Sequence, residues 1–406
     1  MEEDKKQFDF EAFAKDAADK LRNGGAIYGK NGVFTDLFKQ VLEAGLSGEL
    51  DAHVEESRKD GNRKNGTGKK RVKSSHGEIE INTPRDRNGS FQPQLIGKRQ
   101  NSLGIDLDRK ILALYSRGAS LKDIRGQLRE MYDVDISEAT LSRVTDQVIP
   151  VLEEWHNRQL SAVYPFVWLD AIHYKVREEG RVITKAVYCV LGVDLEGYKD
   201  VLGLYIGESE GARFWLQVLD DLKSRGVKDI FIACIDNLSG FAEAIETVFP
   251  ATQVQLCIIH QIRNNLKYFT YNQRSAFIAE LKKVYQARDE THAAAALDEL
   301  EKLYGKKYPM VINSWRNNWE RLSVYFSYPS HIRRMIYTTN IIEGFHRQLR
   351  KVTKTKGSFS SDMALMKLLF MAQKRIVEKW KVKQMHWPTT LAQLHLLFGD
   401  RMEKGM

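Results

Sequence analysis

Phe166-Val-Trp-Leu-Asp170 is an apolar run too short for a typical helix, rich in aromatic and β-branched residues, and closed by a carboxylate. Such a run reads as a buried strand at the centre of a sheet. Ile230-Phe-Ile-Ala-Cys-Ile-Asp236 repeats the pattern, followed by Asn237 and by Ser239-Gly240, which open a helix. Two buried strands that each deliver an Asp to one sheet edge would place two carboxylates close together, where repulsion is costly unless cations bind. The pattern points to a metal site.

Working outward, residues 166–176, 184–193 and 199–206 read as three strands in a meander with glycine-containing turns. A helix with Phe214, Trp215, Val218, Leu219 and Leu222 on one face follows, then the strand ending at Asp236. A helix from about Ser239, a short fifth strand from Thr252 to Leu256 and a helix from Cys257 complete an α/β order with a mixed sheet. Residues 271–335 hold no convincing strand, and their periodicity predicts an all-helical insertion. From Asn340 the chain is helical and basic.

Upstream, residues 8–57 carry helical periodicity, with Phe34, Leu37, Val41, Leu42 and Leu46 forming an apolar stripe. From Arg58 to Lys73 there are eight Lys or Arg against one Asp, interrupted by Gly61, Gly66 and Gly68. Such a segment predicts a flexible basic arm, with Lys69, Lys70, Arg71 and Lys73 contacting phosphates; the alternative is a solvated linker. Residues 79–84 alternate like a short strand, and Pro84-Arg-Asp-Arg-Asn-Gly-Ser90 reads as a turn. A helix over residues 106–115 is followed by one N-capped at Ser120 and, after a break at Asp133-Val-Asp-Ile, one starting at Ser137 that carries Arg143. The last two form either a DNA-binding helix-turn-helix or an ordinary helical hairpin.

The 406 residues can bury a large core and suggest two or three domains. A composition of 43% apolar and 28% charged residues is that of a soluble globular protein. No apolar run approaches 18 residues and Met1-Glu-Glu-Asp-Lys-Lys lacks a signal core, so a soluble cytoplasmic protein is expected. Cys189, Cys234 and Cys257 are too few for a disulfide framework or a four-cysteine zinc site. The net charge of +9 suggests a polyanionic partner.

A third carboxylate for the site is sought beyond the insertion, and Glu343 is the best candidate. It also fits a capping box with Asn340, which needs no catalysis. Its neighbours favour the catalytic alternative: Arg347 and Arg350 lie four and seven positions on, along one helix face, and Lys351, Lys354 and Lys356 follow without an intervening acid.

The contexts of Asp170, Asp236 and Glu343, together with Cys257-Ile-Ile-His260, Thr338-Thr-Asn-Ile-Ile-Glu343, Pro84-Arg-Asp-Arg and Arg117-Gly-Ala-Ser, resemble bacterial insertion-sequence transposases of the Mutator type, a branch of the DDE transposases. The ordered set covers most of the chain. The resemblance implies a multidomain α+β protein: a ribonuclease H-like mixed α/β core interrupted by the helical insertion, with a helical DNA-binding region at its N-terminus. It implies cleavage and strand transfer at Asp170, Asp236 and Glu343, which would hold two Mg²⁺ ions, with Mn²⁺ as substitute. The partners implied are double-stranded DNA (terminal inverted repeats and target) and at least a second copy of the chain.

On this reading the chain divides into 1–57, a helical module; 58–105, the basic arm; 106–158, the helix-turn-helix region; 159–270, the first part of the core; 271–336, the insertion; and 337–406, the second part. Cys257 and His260 match a family signature near the carboxylates, with His260 contacting DNA or an acid; a packed Cys and a hydrogen-bonded His are the alternative. Trp315 and Trp319, four apart, are core residues or platforms for an unpaired base at an element end. His346 stands where the family more often has Asn. A DNA-binding regulator with an inert core and a structure-specific nuclease are the rival readings.

Overall fold

The computed structural model describes residues 10–27, 32–74, 77–98, 104–132, 134–207, 211–337 and 340–403. The chain's contacts divide it into two units, residues 1–147 and 148–406.

In the first unit, α1 (Phe10–Arg22) and α2 (Val33–Glu56) precede a hairpin of β1 (Lys64–Ser74) and β2 (Gly77–Asp86). Three helices follow: α3 (Gly104–Ser116), α4 (Leu121–Tyr132) and α5 (Glu138–Asp146). The basic stretch is therefore largely an ordered strand and not the flexible arm expected. β1 pairs antiparallel with β2 from Thr67↔Pro84 to Ser74↔Gly77, so the partner strand satisfies its backbone. Apolar burial comes mostly from elsewhere: Ile79 and Ile81 of β2 join Leu42 and Leu46 of α2 and Ile96, and β1 adds only Val72. α2 and the hairpin thus share one core.

This pairing also changes the roles of the basic side chains. Lys70 Nζ donates to the carbonyls of Gly97 (2.6 Å) and Lys98 (3.1 Å), and Lys73 Nζ donates to the carbonyl of Asp135. Lys69 and Arg71 are exposed and share Glu80 at 3.2 and 3.7 Å.

The hairpin is closed by Asp86, a buried carboxylate. It accepts from Ser90 Oγ (2.8 Å), Ser90 N (3.0 Å), Phe91 N (3.2 Å) and Asn62 Nδ2 (3.1 Å). Burial opposes its charge, but these bonds win and hold the carboxyl well below the usual carboxylate range. A depressed folded value contributes stability that is full above the ordinary carboxylate pKa of about 3.9 and is lost as pH falls through the folded value. Asp86→Ala is expected to speed hydrogen exchange at the Ser90 and Phe91 amides and to lower the melting temperature at pH 7. The gap to wild type should narrow in strong acid; unchanged exchange would show that the network holds nothing.

The expected helix starts are present. Ser120 and Asp123 cap reciprocally, each backbone N–H donating to the other's side chain at 3.0 Å, and Ser137 Oγ accepts from Thr140 N. Asp133, in the break between α4 and α5, lies outside the described residues. Ile124, Leu128, Leu141 and Val144 are buried between these helices and α3, while Arg143 is exposed on α5.

The second unit begins with α6 (Ile149–Asn157), so the last helix of the 106–158 segment belongs here. Next come β3 (Val163–Glu178), β4 (Arg181–Val193), β5 (Lys199–Gly207), α7 (Ala212–Ser224), β6 (Asp229–Ile235), α8 (Phe241–Val248), β7 (Gln253–Leu256) and α9 (Ile258–Leu266). The strand order is β5-β4-β3-β6-β7. β3, β4 and β5 are antiparallel, whereas β6 runs parallel to β3 and β7 parallel to β6. This is the mixed sheet expected. β6 is buried along its whole length, as is the first part of β3. That is why both appear in the sequence as unbroken apolar runs.

Between the sheet and the C-terminal part lie α10 (Tyr271–Tyr285), α11 (Glu290–Tyr304), α12 (Pro309–Asn317), α13 (Trp319–Leu322) and α14 (Ser330–Ile336), with a 3₁₀ turn at Val324–Ser327 and no strand. Asn318, at φ −101° and ψ 3°, separates α12 from α13. Trp315 and Trp319 therefore do not share one helical face. Trp315 is 1% exposed, as the core alternative requires; Trp319 is half-buried.

The chain ends in α15 (Asn340–Thr353), α16 (Asp362–Val377) and α17 (Trp387–Glu403). α15 packs on β3 and α16. The link between those helices is sewn to β3, with Arg177 N donating to Phe359 O and Phe359 N to Lys175 O, both at 2.8 Å. Lys185 Nζ, buried on β4, ties Asp362 (2.8 Å) to the sheet. No helix among the described residues is long and apolar enough to cross a membrane.

Candidate active site

Pairing of β3 with β6 stops at Leu169↔Ile235. Asp170 and Asp236 are the next residues on these adjacent strands, so the sheet brings them to one edge. Only β6 ends there; β3 runs on beside β4, with Asp170 opposite Cys189. Each carboxylate accepts a hydrogen bond from the next backbone N–H: Asp170 Oδ1 from Ala171 (2.8 Å) and Asp236 Oδ1 from Asn237 (2.7 Å). After Asp236 the chain turns into α8 through Gly240, whose φ of 78° is left-handed and suits glycine.

β7 leads directly into α9, where Cys257 is the N-cap and its Sγ accepts from His260 N. This cap orients the first turn, and α9 then supplies two cations three residues apart. His260 Nδ1 lies 3.8 Å from Asp236 Oδ1, and Arg263 Nη1 lies 2.7 Å from Glu343 Oε1. Glu343 and His346 come from α15, and His346 Nδ1 lies 3.5 Å from Asp170 Oδ2. The helix begins at Asn340, within α15, and Thr338 and Thr339 before it lie outside the described residues, so the capping box expected there is not described.

The electrostatics follow from this crowding. Burial pushes the Asp170 carboxyl up to about 6; the charges of Asp236 and Glu343 add to the effect, while His260 and the Ala171 amide oppose it. Burial disfavours the His260 cation, but contact with Cys257 and the charges of Asp236 and Asp170 outweigh it and raise the ring to about 9. His346 goes the other way, lowered to about 3 by burial and by the cations Arg350 and His260. At neutral pH one histidine is a counter-charge to the acids and the other is neutral.

Asp170, Glu343, His260, Arg263, His346, Arg347 and Arg350 line one cleft of about 470 Å³. Asp236 is not on its wall and contacts it through His260. Among the described residues, no three His, Cys, Asp or Glu side chains converge closely enough to hold a metal ion. The chain's own cations stand among the acids. Arg347, Arg350, Lys351 and Lys354 are exposed along α15 and its C-terminal end. Arg263 was not singled out from the sequence, and His346 was noted only as a departure from the family pattern, without a role at the site. Spacing alone could have raised Arg263, since it lies three residues beyond His260, as His346 does beyond Glu343, and so on the same helix face.

Residues 11–383 match the family model described as "Transposase, Mutator family". The chain belongs to the Mutator family of transposases. A probable transposase for insertion sequence element ISRM3-like from Sinorhizobium fredii is 42% identical over 96% of this chain and 99% of that protein. The transposase for ISRM3 from Rhizobium meliloti matches to the same extent. The IS256 transposase of transposon Tn4001 from Staphylococcus aureus is 24% identical, covering 86% of this chain and 90% of its own. Among solved structures, the Drosophila P element transposase strand transfer complex aligns over 70% of this chain and 92% of that one, at 10% identity and a TM-score of 0.36. This transposase is thus an enzyme that cuts and joins DNA strands, and the cleft described above is the candidate place for that chemistry.

Proposed function

We propose that this transposase cuts and joins the ends of an insertion sequence at Asp170, Asp236 and Glu343, with bound divalent metal. The observation that carries the reading is the arginine-lined cleft holding Asp170 and Glu343, residues far apart in sequence, next to the strand end that bears Asp236. The donor set suits magnesium, which prefers oxygen ligands and keeps several waters. Glu343 Oε1, held only by the Arg263 guanidinium and without an aligned hydrogen bond, is an acceptor that a metal cation could take over. Bound there, two magnesium ions, or manganese in their place, would activate the attacking oxygen and stabilise the leaving one.

The chain's own residues supply the rest. Arg347 and Arg350 lie on the cleft wall and bind the phosphates flanking the reacting bond, and Lys351 and Lys354 extend that track. His260 balances the acids before substrate arrives, and neutral His346 holds the Asp170 carboxylate. The attacking group is water for hydrolysis and a 3′-hydroxyl of the element's end for joining.

The strand order and directions support the reading of a ribonuclease H-like core, which α10–α14 would interrupt between the second Asp and the Glu. The first unit binds the terminal inverted repeats, with α4 and α5 as a helix-turn-helix and Arg143 reading a base edge. Because two ends must be joined, the working form contains at least two copies.

The deciding experiment is incubation with a labelled element end: Mg²⁺ should give nicking and joining, EDTA neither, and calcium binding with little chemistry. Binding without cleavage would favour a regulator, and cleavage without joining a nuclease.

His346→Asn should keep joining within about tenfold of wild type, since Asn can still donate to Asp170. His346→Ala should lose much more; equal losses in step with melting temperature would make His346 a packing residue.

The basic strand divides by role. Lys69→Ala with Arg71→Ala should flatten the salt dependence of DNA binding by roughly 0.9 in log–log slope per lost contact, with little change in melting temperature. Lys70→Ala and Lys73→Ala should chiefly lower the melting temperature, because their ammonium groups hold backbone carbonyls. Arg143→Ala should cost about 1–3 kcal/mol on the element end and little on random DNA. Uniform weakening of DNA binding by the Lys69/Arg71, Lys70 and Lys73 variants would return the strand to the role of a simple phosphate-binding arm.

A further inference from the structure

Three arginines line the cleft, and only Arg263 is engaged with an acid among the described residues. Its Nη1 approaches Glu343 Oε1 to 2.7 Å, yet that oxygen is buried without a hydrogen-bond partner. The contact is an ion pair without hydrogen-bond alignment, close in space and poorly fixed in direction. Arg263 is also the more open partner, 57% exposed against 28% for Glu343. A long side chain held at its tip alone, with its stem near solvent, can move without disturbing the packing of α9.

We infer that Arg263 is an exchangeable counter-ion: it neutralises Glu343 while the site is empty of metal and is released onto a DNA backbone phosphate when divalent cations take the carboxylate. The inference rests on the metal-dependent reading above. Its physical basis is simple. A guanidinium and a divalent cation repel one another and compete for the Glu343 carboxylate, and the released guanidinium stands in the same cleft as Arg347 and Arg350, where phosphate is the available bidentate acceptor. Metal binding and DNA binding are then coupled through one side chain, because the metal frees a phosphate ligand and DNA, by engaging Arg263, frees a metal ligand.

His260 does not serve in this way. It is more buried, at 18% exposure, and sits against Asp236 at the base of α9, next to its Cys257 cap. Arg263 lies one turn further out and faces the open cleft.

The test uses the full chain and reads binding, not turnover. Mn²⁺ affinity is measured without DNA for wild type, Arg263→Gln, Arg263→Lys and Asp170→Asn. Affinity for a random-sequence duplex is measured in EDTA and in Ca²⁺. Removal of a partly exposed ion pair predicts Mn²⁺ binding about twofold to tenfold tighter in Arg263→Gln. Ca²⁺ should tighten duplex binding by wild type and clearly less by Arg263→Gln, with Arg263→Lys between them. Unchanged or weaker Mn²⁺ binding by Arg263→Gln, or an undiminished Ca²⁺ effect, overturns the exchange and leaves Arg263 a static partner of Glu343. If wild type shows no saturable Mn²⁺ binding that Asp170→Asn abolishes, the metal reading itself falls.

Discussion

Asp170→Asn is expected to abolish cleavage and joining, by on the order of 10³-fold or more, while making the metal-free protein more stable at pH 8. The two effects have one cause. The Asp170 carboxyl is pushed up to about 6 by burial, with Asp236 and Glu343 nearby, so its ionised form is destabilised by folding. For an acid whose folded pKa is raised, that cost is fully present above about 6 and vanishes below the ordinary value near 3.9. A shift of about two units corresponds to an upper limit of about 3 kcal/mol. Asn removes the charge at nearly constant volume, so the gain in melting temperature should be largest at pH 8 and disappear near pH 4. Saturating Mg²⁺ should erase the gain by stabilising wild type alone.

Asp236→Asn and Glu343→Gln should lose activity to a similar degree, but Glu343→Gln should change stability little, since its ion pair with Arg263 is partly solvated. Near-normal joining by any of the three would remove that residue from the site, and lower stability of Asp170→Asn at pH 8 would mark Asp170 as structural.

The largest loss of stability is expected from Trp315→Ala. This indole is 1% exposed on α12, and truncating a buried aromatic costs about 3–5 kcal/mol through lost transfer energy and the cavity left behind. Whatever activity survives should fall equally on intact duplex ends and on ends with a pre-unpaired base, because the defect lies in folding. Half-buried Trp319 should cost less. If Trp315→Ala melted normally but cut intact ends selectively worse, the indole would be a base platform after all.

The core sheet was legible for a physical reason. β6 and the first part of β3 are buried on both faces, so their sequences carry no polar interruption and each ends its apolar run at an Asp. The meander and the all-helical stretch after α9 followed from the same contrast. β1 was not legible, because of its eleven residues only Val72 enters the core and its order comes from β2, a partner invisible to local pattern. Spacing also misled at Trp315 and Trp319, where four residues imply one face only if the helix continues, and Asn318 ends it. Asp170 and Asp236 could be placed together from the ends of their apolar runs alone. The roles of Arg263 and His346 could not be read that way, since these residues acquire meaning only when α9 and α15 meet across the cleft.

The position of Glu343 on a helix that follows the whole helical excursion sets a schedule for the nascent chain. β3, β4, β5 and β6 can pair once the polypeptide has emerged past Ile235, bringing Asp170 and Asp236 to one edge. At ordinary rates of synthesis α15 leaves the ribosome on the order of 10 s later, and it is then fastened to β3 through the Phe359 bridge. Throughout that interval the protein holds two acids without the third. If Glu343 completes the site as proposed, a chain interrupted anywhere in the excursion would lack the third acid and with it the means of cutting DNA.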